Sequence, residues 1–440
     1  MKRKSVNMML LMLALLLVVA GCSSNNKNNT TDTGAKNTPS KNANSTPNEP
    51  ANETPKEKTK VQIMSWWDFT TSEPLIQLKA KFEELNPDLE LEYLQIGTGY
   101  ADKVLTMIAG GGDLPDVMML AMDKLPIFAD KNAIQPLDKY ITPQYKDSLY
   151  PVVSEALAYK GQTYAVARDI TSKVMYLNKK MFDDAGVAYP EADWTWDEFR
   201  SIASKLSKDG QQWGFYFPKF TDGYTSWLMQ NGGGYATNDG ASLLGKAESI
   251  EALKFLQEMV TKDKSVPTES QAQQFGTADT APFIAGKVAM ITGGLSSSTA
   301  FKTNNVEYLV RPLPQGKVKL STSFVNSWVI PKGAKDVDLS WRVLEFLSSK
   351  EAQQIALDTA MGLPAAKDVD TAAFLSTHED NKYFIEALDY SVPFPTPLYG
   401  ADFALEVTKQ FDLMWLGEAS VEDAVAKVEK AAPNLLAGKK

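Results

Sequence analysis

The residues most able to do chemistry here are aromatic and carboxylic: the chain holds nine tryptophans and 54 acids, against one histidine and one cysteine. Sugars present flat C–H faces and a rim of hydroxyls, so a cleft for them needs aromatic platforms ringed by planar polar groups. Trp66, Trp67 and Asp68 put two ring faces and a bidentate acceptor at one strand end, with one indole expected against a ligand and the other in the core. Asp116, beside Pro115, ranks below Asp68 because it can equally brace its loop. Tyr100 follows the flexible Gly97-Thr98-Gly99 turn and either offers its ring and hydroxyl to the same space or starts a helix. Arg168-Asp169 supplies fixed donors and acceptors for hydroxyls, or forms a structural ion pair. Trp227, with Asn231 and a run of glycines after it, suits the opposite wall of a cleft or a core. Asn326 and Trp328 share one face of a strand with Ser323 nearby, while Ser327 takes the other face.

The same inventory excludes much. His378 has no second histidine with which to bind a metal or build a base, and it sits in the polar run Ser376-Thr377-His378-Glu379-Asp380, where a solvated surface position is expected. No phosphate loop of P-loop spacing is present. No catalytic residue, metal ligand or cofactor is therefore assigned. Carboxylate chemistry stays open, because glycoside hydrolysis needs only two suitably spaced acids.

Lys2, Arg3 and Lys4, the apolar stretch 8–20 and Ala20-Gly21 read as an export signal over residues 1–21, too short to span a bilayer. Val19-Ala20-Gly21-Cys22 resembles a lipobox, so Cys22 is expected to carry acyl chains and anchor the protein on the extracytoplasmic face of the cell membrane. Residues 22–58 then form a tether of Asn, Thr, Ser, Lys and Pro that cannot bury enough surface to order itself. Removing residues 1–21 deletes three positive charges and takes the formal net charge from −9 to −12, which argues against nucleic acid as a partner.

The elements that position these residues alternate in type. Val61–Met64, Leu89–Tyr93 and Val117–Leu120 read as strands separated by helices over Leu75–Leu85 and Ala101–Ala109, an order that predicts a mostly parallel sheet. Further strands are expected at Val174–Leu177, Val288–Ile291 and Phe324–Ile330. Thr195-Trp196-Asp197-Glu198 is a capping box, and helices follow near Ile250–Val260 and Leu339–Leu347. Trp196, Trp341 and Trp415 sit in helical patterns as core residues. Pro393, Pro395 and Pro397 with Phe394 and Tyr399 form a loop that can line a cleft. About 380 residues from Thr59 onward call for two lobes. The fold class is α/β, with ligands expected beyond the carboxyl ends of the strands.

Ordered along the chain are Gly112-Asp113-Leu114-Pro115-Asp116-Val117, Gly161 to Asp169 leading to Tyr176-Leu177-Asn178-Lys179, Ala185-Gly186, the capping box with Phe199, Phe283 to Met290, Leu313-Pro314, and Trp341 to Leu347 running into Ser349-Lys350-Glu351-Ala352-Gln353. Together they resemble the extracellular solute-binding protein family that includes the maltose-binding protein. Two positions depart from that pattern: Ala167 stands where many members have Pro, and Gly293-Gly294-Leu295 where many have a Trp. The resemblance implies a two-lobed, periplasmic-binding-protein-like (type II) fold with interwoven lobes and a hinge, one lobe from 59–168 plus about 281–336 and the other from 169–280 plus about 337–440. It implies capture of a mono- or oligosaccharide for the permease subunits of an ABC transporter. The alternatives are an anchored glycoside hydrolase, or a receptor of the same fold for a polyamine or phosphate ester.

Overall fold

The structure, a computed structural model, describes residues 57–439. The export signal, Cys22 and the tether up to residue 56 lie outside the described residues. Strands were recovered close to where alternation places them: β1 (Thr59–Ser65), β2 (Leu89–Gln95) and β3 (Val117–Ala121), then a small hairpin of β4 (Ala158–Tyr159) and β5 (Gln162–Thr163). They are followed by β6 (Val166–Ser172), β7 (Val174–Asn178), β8 (Met290–Gly293), β9 (Tyr308–Arg311), β10 (Ser321–Val329) and β11 (Ser391–Pro393).

As expected from the β-α-β-α-β order, β1 lies parallel to both β2 and β3, in register Thr59↔Leu89 and Ile63↔Val117. The first sheet runs β2-β1-β3-β10, with β6 antiparallel on the far side of β10 and β11 pairing the start of β10 beyond the end of β3. A second sheet has β7 at its centre, antiparallel to β8 and β9. Only Lys173 separates β6 from β7, so the chain crosses from one sheet to the other through a single residue. The chain returns between β9 and β10, and a third crossing joins β11 to helix Gly400–Trp415, which packs in the second core.

Each sheet has a core of its own, and a third cluster joins Met64 and Leu120 of the first sheet to Tyr176 and Ile291 of the second. Helix Glu73–Leu85 turns Leu75, Leu78 and Phe82, spaced three and four apart, onto Val61, Ile63 and Leu91. Around the second sheet, Phe199, Phe215, Trp227, Leu253 and Phe411 pack on Met175 and Leu177. The Thr195–Glu198 capping box forms on both sides, starting helix Trp196–Lys205 as its sequence demands.

The expected division of the chain does not match these pairings. β8 and β9, assigned by sequence to the first lobe, pair with β7 in the second sheet. Helices Val337–Leu347 and Lys350–Asp358, assigned to the second lobe, put Val343, Leu344, Phe346 and Ala352 into the core beneath β1 and β2. An amphipathic helix can cover either sheet, and its own pattern does not say which.

Candidate functional site

Beyond the carboxyl end of β3 the chain turns into Met122–Lys124 and helix Leu125–Asp130, and facing them across a gap lies the proline-rich loop that follows β11. Two cavities of about 590 and 450 Å³ occupy this gap and share Thr396, Leu398 and Tyr399 in their walls. The first sheet's side supplies Met122, Asp123, Lys124 and Asp102, the last from the first turn of helix Tyr100–Ala109. The other side supplies Thr221, Tyr235, Asn238, Asp239 and Asp402.

Prolines at 393, 395 and 397 remove three backbone donors, and the two N–H groups between them hold the loop. Phe394 N–H donates to the Ser323 carbonyl of β10 at 3.0 Å, and Thr396 N–H to Asn238 Oδ1 at 2.8 Å. The Phe394 ring stacks on Phe324, centroids 4.9 Å apart, while Tyr399 stays 40% exposed and lines both cavities. Phe220, 43% exposed beside Thr221, is a second open ring on that side. Lys124 and Lys160 are already paired, with Asp123 at 3.0 Å and Asp130 at 2.9 Å. Asp102, Glu155, Asp239 and Asp402, also in these walls, have no ion-pair partner among the described residues and keep their oxygens free to accept from hydroxyls. No group of three or more His, Cys, Asp or Glu converges as a metal site among the described residues.

The residues singled out from sequence scatter. Trp66 is half-buried, its ring edge-on to Tyr100 at 5.3 Å, and Trp67 is half-buried with the Arg168 guanidinium 4.4 Å from its ring centre. Asp68 folds onto its own turn: Oδ1 accepts from Thr70 N–H at 2.8 Å and Thr70 Oγ1 at 2.6 Å, and these bonds hold the carboxyl below its ordinary pKa. Tyr100 is buried, donating to the Met119 carbonyl at 2.8 Å, and so ties β3 to β1 rather than facing a cleft. Asp116 braces, accepting from Gln62 N–H at 2.8 Å.

Arg168 and Asp169 are 3% and 1% exposed and bond to each other, with Arg168 Nη1 on Met119 Sδ at 3.0 Å and Asn326 Nδ2 donating to Asp169 Oδ1 at 2.9 Å. Neighbours on a strand ordinarily point to opposite faces. Here the register jumps from Asn326↔Asp169 to Ser327↔Ala167, a bulge that leaves Arg168 unpaired and turns it toward its neighbour. A Cβ on Gly362 would lie 2.5 Å from that of Asp169, so glycine alone lets this segment close over the carboxylate. The pair is structural, and with it Asn326.

Trp227 is 2% exposed among Phe199, Trp196 and Phe215, with centroids 5.0, 5.4 and 5.7 Å away, and is core rather than platform. Asn231 Nδ2 donates to the Glu248 carbonyl at 2.7 Å and to Glu251 at 2.9 Å, and Trp328 is sealed in the first core. What sequence reasoning missed is the acids Asp102, Glu155, Asp239 and Asp402; of the proline loop it named Phe394 and Tyr399 without ranking them.

The chain matches the description "Bacterial extracellular solute-binding protein" over residues 77–382, well over half its length. It belongs to that family. Among relatives of this solute-binding protein, a Brucella abortus binding protein is 24% identical over 367 residues, 80% of this chain and 88% of its own. The maltooligosaccharide ABC transporter solute-binding lipoprotein of Streptococcus pneumoniae is 24% identical over 305 residues, 68% of this chain and 70% of its own. In structure it is similar to an ABC substrate-binding protein of Listeria monocytogenes solved with cycloalternan, at TM-score 0.78 and 25% identity, covering 87% of this chain and all of that one. The two-lobed α/β type II architecture expected from sequence is thereby established.

Two ionisable groups of the solute-binding protein stand apart. Lys219, 6% exposed, donates to the Phe217 carbonyl at 2.9 Å and lies 3.6 Å from the Phe217 ring centre; burial pushes its pKa down to about 7, with Glu269 pulling weakly the other way. His378 is half-buried, stacked on Tyr308 at 5.3 Å with Nδ1 accepting from Asp380 N–H at 3.2 Å, and is not the solvated surface histidine expected.

Proposed function

We propose that this protein captures a mono- or oligosaccharide in the gap between its two sheets and delivers it, chemically unchanged, to the permease subunits of an ABC importer. The observation that carries the reading is the wall of the gap: the exposed ring of Tyr399 beside the carboxylates of Asp102, Glu155, Asp239 and Asp402, which have no ion-pair partner among the described residues. Ring faces suit sugar C–H faces, and free acceptors suit hydroxyls. The maltooligosaccharide and cycloalternan named for two relatives support the same class. Acylation at Cys22 would hold the receptor on the outer face of the cytoplasmic membrane, as the lipoprotein name of the Streptococcus relative suggests. The single-residue crossing at Lys173, the one leading into β10 and the one that follows β11 are where lobes would hinge over a bound solute. No enzymatic step is assigned.

The test is a thermal-shift panel on the full chain: maltose, maltotriose and other neutral oligosaccharides against spermidine and glycerol phosphate. A carbohydrate at a hundredfold excess over its Kd adds about 2.7 kcal/mol to the folded state and raises the melting temperature accordingly. Stabilisation by spermidine or glycerol phosphate alone would overturn the sugar assignment while leaving the receptor.

A further inference from the structure

The last described residues of the chain run along the cavity wall. Leu436 lines the larger cavity and lies under the hairpin at Gly240, whose added Cβ would stand 3.3 Å from the Leu436 carbonyl oxygen. Two residues on, Gly438 holds φ at +68°, and a Cβ there would fall 2.8 to 2.9 Å from three atoms of the Tyr399 ring. The ring therefore lies against bare backbone. That contact sets where the exposed ring lining both cavities stands: Tyr399 is 40% exposed, and among the described residues its hydroxyl has no hydrogen-bond partner and its ring no aromatic stacking partner.

Helix Val421–Leu435 fixes this end of the chain to the same wall. Glu429 Oε1 accepts from Ser242 Oγ at 2.6 Å and from Gly245 N–H at 2.9 Å, so the helix that ends at the cavity also pins the hairpin carrying Asn238, which in turn holds Thr396. Hairpin, proline loop and chain end are one linked assembly.

We propose that the C-terminal segment Leu436–Gly438 is a specificity-determining part of the solute site, with Gly438 a positioning residue that acts through Tyr399. The inference rests on the gap between the sheets being that site. The test is a double-mutant cycle in the full chain, titrated with maltotriose or with the panel carbohydrate of largest shift. Gly438→Asn tolerates the left-handed backbone but puts a Cβ against the ring. It and Tyr399→Leu are each expected to weaken affinity about tenfold, within the range of loss for truncated anchor residues. The melting temperature of the free protein should stay near wild type, since both positions are exposed. The double variant should bind no more weakly than Tyr399→Leu alone, because the two changes remove one interaction. Unchanged affinity in Gly438→Asn, or losses that add in the double variant, would overturn the inference. Failure of every carbohydrate on the wild-type chain would instead refute the sugar reading, and the cycle run with whichever solute does bind then decides the role of Gly438.

Discussion

Asp169→Ala is expected to lower the unfolding free energy by about 3 to 5 kcal/mol, a large share of what holds an ordinary domain together. The substitution leaves the Arg168 guanidinium, 3% exposed, without a carboxylate partner among the described residues, beside the Met119 sulfur and the Trp67 ring, and removes the acceptor of the Asn326 amide. The cost is that of a buried charge left alone, not of a pair bond lost. Arg168→Met combined with Asp169→Asn should therefore recover most of the loss, since it removes the charge and keeps an amide contact for Asn326. Urea denaturation of the three variants measures both effects. A loss under about 1 kcal/mol for Asp169→Ala would mean that the pair is solvated and free to meet a ligand, as the sequence alone allowed.

Lys219→Met is expected to act in the opposite direction, raising stability by about 2 to 4 kcal/mol at pH 6. Burial lowers the folded-state pKa of Lys219 to about 7, whereas the unfolded chain keeps the ordinary value near 10.4. Between those values the unfolded state holds a proton that the folded state has released, so wild-type stability rises with pH across roughly 7 to 10. Below pH 7 the ammonium is charged in both states and the burial penalty is complete. Met fills a similar volume without charge, so the variant gains most below pH 7, and its advantage should fade as pH climbs toward 10. Denaturation midpoints at pH 6 and pH 9.5 decide it: equal or lower stability of the variant at pH 6 would show that Lys219 is better solvated than its surroundings imply.

The first three strands were legible because each carries its own signal: alternation in Leu89, Leu91 and Tyr93, an apolar run at Val117–Leu120, and a helix with three-and-four spacing between. The capping box at Thr195 was legible for the same reason, being four residues long and local. Trp227 was not, because the rings that bury it come from residues 196, 199, 215 and 255, brought together only by the fold. Arg168 and Asp169 were read as a pair open to ligand or to each other, and the bulge that decides between the two depends on the partner strand β10, more than 150 residues away. Two-lobed architecture followed from length and order. Which helix covers which sheet did not, since Val337–Leu347 has an apolar stripe that fits either. Tyr399 stood out only as an aromatic among prolines, and the glycine that seats it lies 39 positions later in the chain.

A receptor of this kind binds carbohydrate and leaves it whole. Calorimetric titration of the full chain with the carbohydrate of largest thermal shift, followed by chromatography of the sugar recovered after a day with the protein, tests that directly. One-to-one saturation with the sugar returned intact is the predicted result. A shortened sugar would make the protein a hydrolase, and the absence of saturable binding by any carbohydrate of the panel would contradict the assignment of the gap as a sugar site.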